Sequence, residues 1–306
     1  MTLSIILVFL SALLAATNVP FSKYLLANNI PALLLSSLTF LGGSIGTGII
    51  AVIRLIKQKK NFKAIKGRDW FYMFGINAVD TAANVMLFYG ISMLSGDTAS
   101  LLQSFEIVSS ALVAYLLFKE RPSLRLILGI AIVLSGSVIL SFNPASGFSF
   151  EPASLLIIGA TICWGFDNNF TKKISDKDPF EFSFFKCVVP GLIILIIALC
   201  AGKVSTDIPM VSLSLLDGFV AYGLSVTLLT LGFRKLSATL GSAIYAINPF
   251  FGAILSLIFY PYLPSWNFYV AVTLLVAGEI IVAIDAHISG KKKDGEMTNV
   301  IEPPRT

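Results

Sequence analysis

Apolar stretches of bilayer-spanning length alternate with short polar links along this chain, from Leu3 to Ala286. A helix needs about 20 residues to cross the hydrocarbon core, and most of these stretches meet that length with few or no charges. The pattern predicts ten helices, over residues 3–24, 32–56, 70–92, 97–118, 124–142, 152–171, 180–201, 210–233, 238–260 and 264–286. The links are rich in turn formers, as in Asn28-Asn29-Ile30-Pro31 and Asn143-Pro144-Ala145-Ser146-Gly147. Almost nothing is left over for a soluble catalytic domain. Residues 289–306 are polar, basic at Lys291, Lys292 and Lys293, and end in prolines; their composition predicts a disordered tail.

Composition supports the membrane reading. Of 306 residues, 56% are hydrophobic and 13% charged, and the mean hydropathy is +0.85. A soluble domain carries about 25% charged residues, because its surface must face water. A large soluble helical protein would need amphipathic helices around its core, whereas these stretches are apolar throughout. The first span lacks a basic start and a small-residue cleavage site before Lys23, so it is expected to be an uncleaved helix. Cys163, Cys187 and Cys200 all fall inside apolar spans, where free cysteines behave as small hydrophobes.

The net charge of +5 is distributed in a way that argues against a nucleic-acid partner. Arg54, Lys57, Lys59, Lys60, Lys63, Lys66 and Arg68 crowd the link after the second span. Further basic residues follow the fourth span (Lys119, Arg121, Arg125), the sixth (Lys172, Lys173, Lys177), the eighth (Arg234, Lys235) and the tenth. The alternate links hold only Lys23 and Lys203. Basic loops stay cytoplasmic, so the chain is expected to lie in the cell's cytoplasmic membrane with both termini inside.

The chain also repeats itself. A shift of 142 residues lays Gly90 on Gly232, Leu94 on Leu236, Ser95 on Ser237, Ala111 on Ala253, Pro122 on Pro264 and Gly136 on Gly278. A slightly different shift lays Phe21-Ser22-Lys23 on Phe170-Thr171-Lys172. Five spans per half force the second copy upside down relative to the first. The expected architecture is therefore an all-α integral membrane protein of ten transmembrane helices in two inverted repeats, residues 1–142 and 152–288. Inverted repeats are the device by which alternating-access transporters open to either side of one midplane site.

In order and spacing these features resemble the drug/metabolite transporter superfamily, ten-helix EamA type. In that family the first helix of each half ends in a tryptophan-glycine-x-asparagine-like stretch with a later lysine. Trp164-Gly165-Phe166-Asp167-Asn168-Asn169-Phe170-Thr171-Lys172 matches it, and Ala15-Ala16-Thr17-Asn18-Val19-Pro20-Phe21-Ser22-Lys23 is the weaker first-half version. Glu120-Arg121-Pro122-Ser123, followed by Gly129 and Gly136, is similar to the family's end of the fourth helix. The second half departs, with Tyr262 in the glutamate slot and the mid-helix proline surviving only as Pro249. The resemblance implies the fold and transport, with no particular substrate.

Ionisable groups deep in a span are costly unless paired or facing a cavity, and so mark functional candidates. Asp80 lies about 15 Å into the third span at 1.5 Å per residue, near the midplane. It shares a face with Asn77, Thr81 and Asn84. Glu106 lies comparably deep in the fourth span, one turn from Gln103, with Ser110 one turn on. Asp167 shares a face of the sixth span with Trp164, Asn168 and Thr171; Tyr245 and Asn248 face alike in the ninth, and Asn248 is the repeat partner of Glu106. With Asn18 these residues form the candidate solute site, although amides also glue transmembrane helices together without touching a solute. Lys186 either snorkels to the interface or neutralises Asp167 or an anionic solute. Glu279 reads as structural and His287 as interfacial, while Gly42, Gly43, Gly46 and Gly48 suggest close packing of the second span.

No phosphate loop, nucleotide motif or metal-ligand spacing is visible, so no cofactor is expected and transport is expected to be secondary. Midplane carboxyls suit coupling to protons, and an acidic site favours a cationic or zwitterionic small solute such as an amino acid or amine. A channel has no need of inverted repeats. An enzyme would need a reactive constellation, which is not visible.

Overall fold

The computed structural model describes residues 2–56, 65–118, 123–143, 149–174, 177–233 and 244–301. The clusters at 57–63, at Lys119 and Arg121 and at Arg234-Lys235, together with Glu120, Pro122 and the link at 144–147, lie outside the described residues. Within them, helices group into the ten expected spans. The first is α1 (Thr2–Ala16) and α2 (Asn18–Ala27). The second and third are α3 (Ala32–Ile56) and α4 (Asp69–Met93). The fourth is α5 (Gly96–Leu102) with α6 (Phe105–Phe118), and the fifth is α7 (Leu124–Leu140). A short antiparallel hairpin, β1 (Phe142–Asn143) with β2 (Ser149–Phe150), joins the halves.

The second half holds α8 (Ala153–Lys173), α9 (Pro179–Cys200), and an eighth span made of α10 (Ile208–Asp217), a π-helical segment (Gly218–Leu224) and α11 (Ser225–Phe233). It closes with α12 (Asn248–Phe259) and α13 (Trp266–Ile301). The helical backbone of α13 extends through part of the polar stretch that begins at Ser289. Helix starts are marked by the expected residues. Asp178 caps α9, accepting from the Phe180 N–H at 2.9 Å, with Pro179 in the first turn. Ser123 caps α7, accepting from the Leu126 N–H at 3.1 Å.

Three spans expected to be continuous, the first, fourth and ninth, are broken. The first is interrupted at Thr17, whose hydroxyl turns back to the Leu14 carbonyl at 2.7 Å, and Pro20 follows without an N–H for the ladder. The fourth is interrupted at Gln103-Ser104, and Ala246-Ile247 form a matching turn ahead of α12.

The packing follows the repeat. Three pairs of equivalent spans face each other, α3 against α9, α7 against α13 and α5 against α12. The other contacts come in symmetric sets: α4 with α8 and α11 with α1, then α6 with α8 and α12 with α1. Among the described residues, six spans are long and apolar enough to cross a membrane, and residues 124–140 and 248–259 form shorter apolar helices. The two left over are α4 and α8, which pack on each other and carry the polar residues singled out by sequence. The main apolar core, including Phe88, Leu101, Ile157 and Leu275, lies beside them.

Candidate functional site

The pairing of α4 with α8, joined by α9, builds a buried charge cluster. Asp80, Asp167 and Lys186 are 0%, 3% and 7% exposed. The Lys186 ammonium donates to Asp167 Oδ2 at 2.5 Å and lies 3.4 Å from Asp80 Oδ2. Thr171, one turn from Asp167, donates to its Oδ1 at 3.1 Å. The Tyr222 hydroxyl, from the π-helical segment, donates to Asp80 Oδ2 at 3.1 Å. Asp80 Oδ1 has no partner among the described residues. The Phe182 ring lies 5.9 Å from the Lys186 nitrogen. Lys186 does not snorkel to the interface: its stem leads inward, where two carboxylates repay the desolvation of its ammonium.

A second polar group adjoins the first. A Cβ on Gly165 would sit 2.7 Å from the Ser109 carbonyl carbon, so the glycine lets α8 close on α6. That approach brings the Asn168 amide to Glu106 Oε1 at 2.6 Å and to the Ser110 hydroxyl at 3.1 Å. Asn169, one turn above Gly165, donates to the Ser110 carbonyl at 3.1 Å. Glu106 lies within electrostatic reach of both Asp167 and Lys186, and Tyr245 lies near Glu106 and Ser225. Asn168 is exposed and Glu106 half-buried, whereas the triad is closed off.

Other expected residues sit elsewhere. Asn18 donates to Asp217 Oδ2 at 3.2 Å, away from the cluster. Asn84 and Gln103 turn back to carbonyls of their own helices, Asp80 and Ala99, at 3.2 and 3.3 Å. The buried Asn77 side-chain oxygen has no partner among the described residues. Trp164 packs on the main core, and Asn248 is half-buried as the first residue of α12. Tyr222 and Asp217 were missed by sequence reasoning. The repeat shift points to Tyr222 as the partner of Asp80, and Asp217 is the only acidic residue between Met210 and Phe233. Among the described residues no three His, Cys, Asp or Glu side chains stand together as a metal site.

Ten spans in two inverted halves, with ion-paired and amide groups buried among otherwise apolar helices, define a multi-pass membrane protein of the transporter class. The EamA-like transporter family model matches the chain twice, over residues 2–142 and 152–284, and the chain belongs to that family. It is 28% identical over 216 residues to an uncharacterized transporter of Methanothermobacter thermautotrophicus. That match covers 68% of this chain and 63% of the relative, so the chain spans somewhat under two thirds of the relative's length. A crystal structure of a protein with 18% sequence identity shares the fold, with a TM-score of 0.70 over 92% of this chain and 96% of the other. Family membership and the long apolar helices together make this a multi-pass protein of a lipid bilayer.

Proposed function

We propose that this protein is a secondary transporter that carries a small amine-bearing or zwitterionic solute, such as an amino acid, by alternating access. The observation that carries the proposal is the cluster of Asp80, Asp167 and Lys186 at the meeting of the two halves, with Glu106 and Asn168 beside it. Its three carboxyl groups face one ammonium, so the site has spare capacity for a cation. A zwitterion satisfies both signs: its ammonium meets Glu106, and its carboxylate meets Lys186 in exchange for one of the internal acids. Swapping partners within one network keeps every buried charge paired through the cycle. Movement of the solute is coupled to protons.

Topology follows from the basic links. The protein lies in the cytoplasmic membrane with the 57–68 link and both termini inside, and the end that holds Lys23 and Tyr262 outside. A cysteine at Asn61 should then react with an impermeant reagent only from the inner face.

Proteoliposomes loaded with an unlabelled mixture of the standard amino acids should take up the labelled mixture by counterflow. Exchange that Asp80→Asn and Lys186→Met each abolish supports the reading. Absence of exchange with amino acids and with simple amines removes it, and conductance without exchange identifies a channel.

A further inference from the structure

Asp217 is a buried carboxyl that the solute site does not use. It is the last residue of α10, 5% exposed, and about 14 Å along the helix from Ile208 at 1.5 Å per residue. Asn18 donates to its Oδ2 at 3.2 Å. The Ser22 hydroxyl lies beside the same carboxyl, 0% exposed and without another partner among the described residues.

No cation reaches Asp217 among the described residues. The elements against α10 are α2, α3 and the π-helical segment. On α2, Lys23 is engaged by the carbonyls of Ile91, Ser92 and Leu94, and Tyr24 is exposed. From Ala32 to Ile53, α3 has no ionisable side chain, and neither does α1, which packs on the π-helical segment. Tyr222 in that segment is bonded to Asp80, and Lys186 of the adjoining α9 is bonded to Asp167; Cys187 is buried beside it. On its own helix, Asp207 caps the first turn. A bare carboxylate without a counter-charge is strongly unfavourable in such surroundings, and the group meets that penalty by taking a proton.

The local backbone is irregular. The π-helical segment begins at the next residue, Gly218, and such wide turns recur at functional sites. A Cβ on Gly218 would run into the Thr39 carbonyl, and one on Gly42 into the Leu215 carbonyl. At Gly42 and Gly218 the backbones of α3 and the eighth span meet directly, while farther along the Phe219 ring seats on Gly46 and Phe40 packs edge-on against Tyr222. Sliding at this contact would part Asp217 from Asn18 and Ser22 and admit water.

We infer that Asp217 is the proton-carrying site of the transport cycle, separate from the solute cluster. Neutral Asp217 holds its proton while packed against Asn18 and Ser22. When the contact opens, the carboxyl O–H bond breaks, the proton passes to water, and the carboxylate left behind is solvated. This rests on the proposed transport function, and Glu106 and Asp80 are then committed to solute.

Two measurements test it. In infrared spectra of purified protein at neutral pH, a protonated-carboxyl C=O band should be present, vanish in Asp217→Asn and survive in Asp80→Asn. A band unchanged in Asp217→Asn would overturn the assignment whether or not the protein transports amino acids. In counterflow of the labelled amino-acid mixture, the pH dependence should be lost in Asp217→Asn and restored in Asp217→Glu, with Glu279→Gln behaving as the parent protein. PH dependence that survives in Asp217→Asn, or that is lost in Glu279→Gln, would also overturn it. Absence of counterflow in the parent protein would sink the transport reading, and with it the coupling role, while the infrared band would still report the proton on Asp217.

Discussion

Tyr222 donates its hydroxyl hydrogen to Asp80 Oδ2 at 3.1 Å, and these two residues stand 142 positions apart, the same shift that overlays the first repeat on the second. Residues that contact their own repeat equivalents lie close to the axis relating the two halves. Asp80 therefore marks the centre of the inverted pair. There a solute site is equally near both faces, and a change in either half reaches it. The symmetry is broken chemically: one copy supplies a carboxyl, the other a phenol. The second-half acid Asp167 likewise answers to the first-half amide Asn18 under the shift that aligns Phe21 with Phe170. Each half thus supplies one acid to the ion-paired cluster, at a position where the other half has a neutral hydrogen-bonding group.

The pairing at this axis predicts a graded loss of stability. Tyr222→Phe keeps the ring contact with Phe40, whose centroid lies 5.0 Å away, and removes one hydrogen bond to a charged acceptor. That change should cost about 1.5–3 kcal/mol. Lys186→Met leaves two buried acids without their cation and should cost about 3–5 kcal/mol. Adding Asp167→Asn to Lys186→Met should recover part of that loss, because one uncompensated charge is removed. Thermal unfolding in detergent checks the order; a double variant less stable than Lys186→Met would contradict the ion-pair account.

Glu106→Gln separates charge from shape. The glutamine carbonyl can still accept from Asn168, now 2.6 Å from Glu106 Oε1, so the protein should fold and insert normally. Without the negative charge, affinity for an amine-bearing solute should fall about tenfold or more, equivalent to about 1.4 kcal/mol. Concentration dependence of counterflow measures this directly. An unchanged half-saturation value would make Glu106 a structural group.

Much of the fold was legible because bilayer spans are long, uniform signals and the basic links alternate with near-empty ones. The site was legible in part. Asp80, Glu106 and Asp167 stood out because a carboxyl in an apolar run violates the local pattern, and Lys186 did so for the same reason. Its destination was undecided because a lysine stem is long enough to reach either the interface or a neighbouring helix; only the packing of α9 on α4, beside α8, decides it. Asn84 and Gln103 share the expected polar faces yet bond within their own helices, a choice that spacing alone does not reveal. The breaks at Thr17 and at Gln103-Ser104 were passed over because the apolar segments on either side join into runs of spanning length, although Asn18, Pro20, Gln103 and Ser104 interrupt them.

Close backbone contact gives another test. Gly218→Ala would place a methyl group against the Thr39 carbonyl, where neither helix can yield without a shift of backbone. A loss of about 1–3 kcal/mol is expected from overpacking. Gly202→Ala meets nothing within 4 Å, but its φ of +64° strains an alanine, so about 1 kcal/mol is expected there from the backbone alone. If transport needs sliding at the α3 contact, Gly218→Ala should also slow counterflow severalfold, and Gly202→Ala should not. Equal counterflow by the two variants would remove the sliding surface from the mechanism.

The end of the bundle that holds Lys23 is tied shut by groups from both halves, and releasing the ties should expose the interior. Lys23 bonds the Ile91 carbonyl at 2.9 Å and the Leu94 carbonyl at 2.6 Å, fastening the first span to the turn ahead of α5. Tyr262, in the link before α13, donates to Asp97 Oδ2 at 2.6 Å and fastens the second half to the same turn. Partial burial, together with the Asp97 carboxylate, pushes the Tyr262 hydroxyl well above the usual tyrosine range. It therefore remains a neutral donor from neutral into alkaline pH, and the tie should not loosen as pH rises through that window. Tyr262→Phe removes this donor and should favour conformations open at this end. A cysteine replacing Ser100, 1% exposed and one turn inside Asp97, reports the change in a background free of Cys163, Cys187 and Cys200. Labelling of that cysteine by a small polar thiol reagent should rise severalfold in Tyr262→Phe and further when Lys23→Met is added. In the parent protein it should stay flat from neutral into alkaline pH, once the rate is corrected for the reagent's own thiolate dependence. Labelling that is equally slow in all three proteins would mean that the two ties do not govern access from this end.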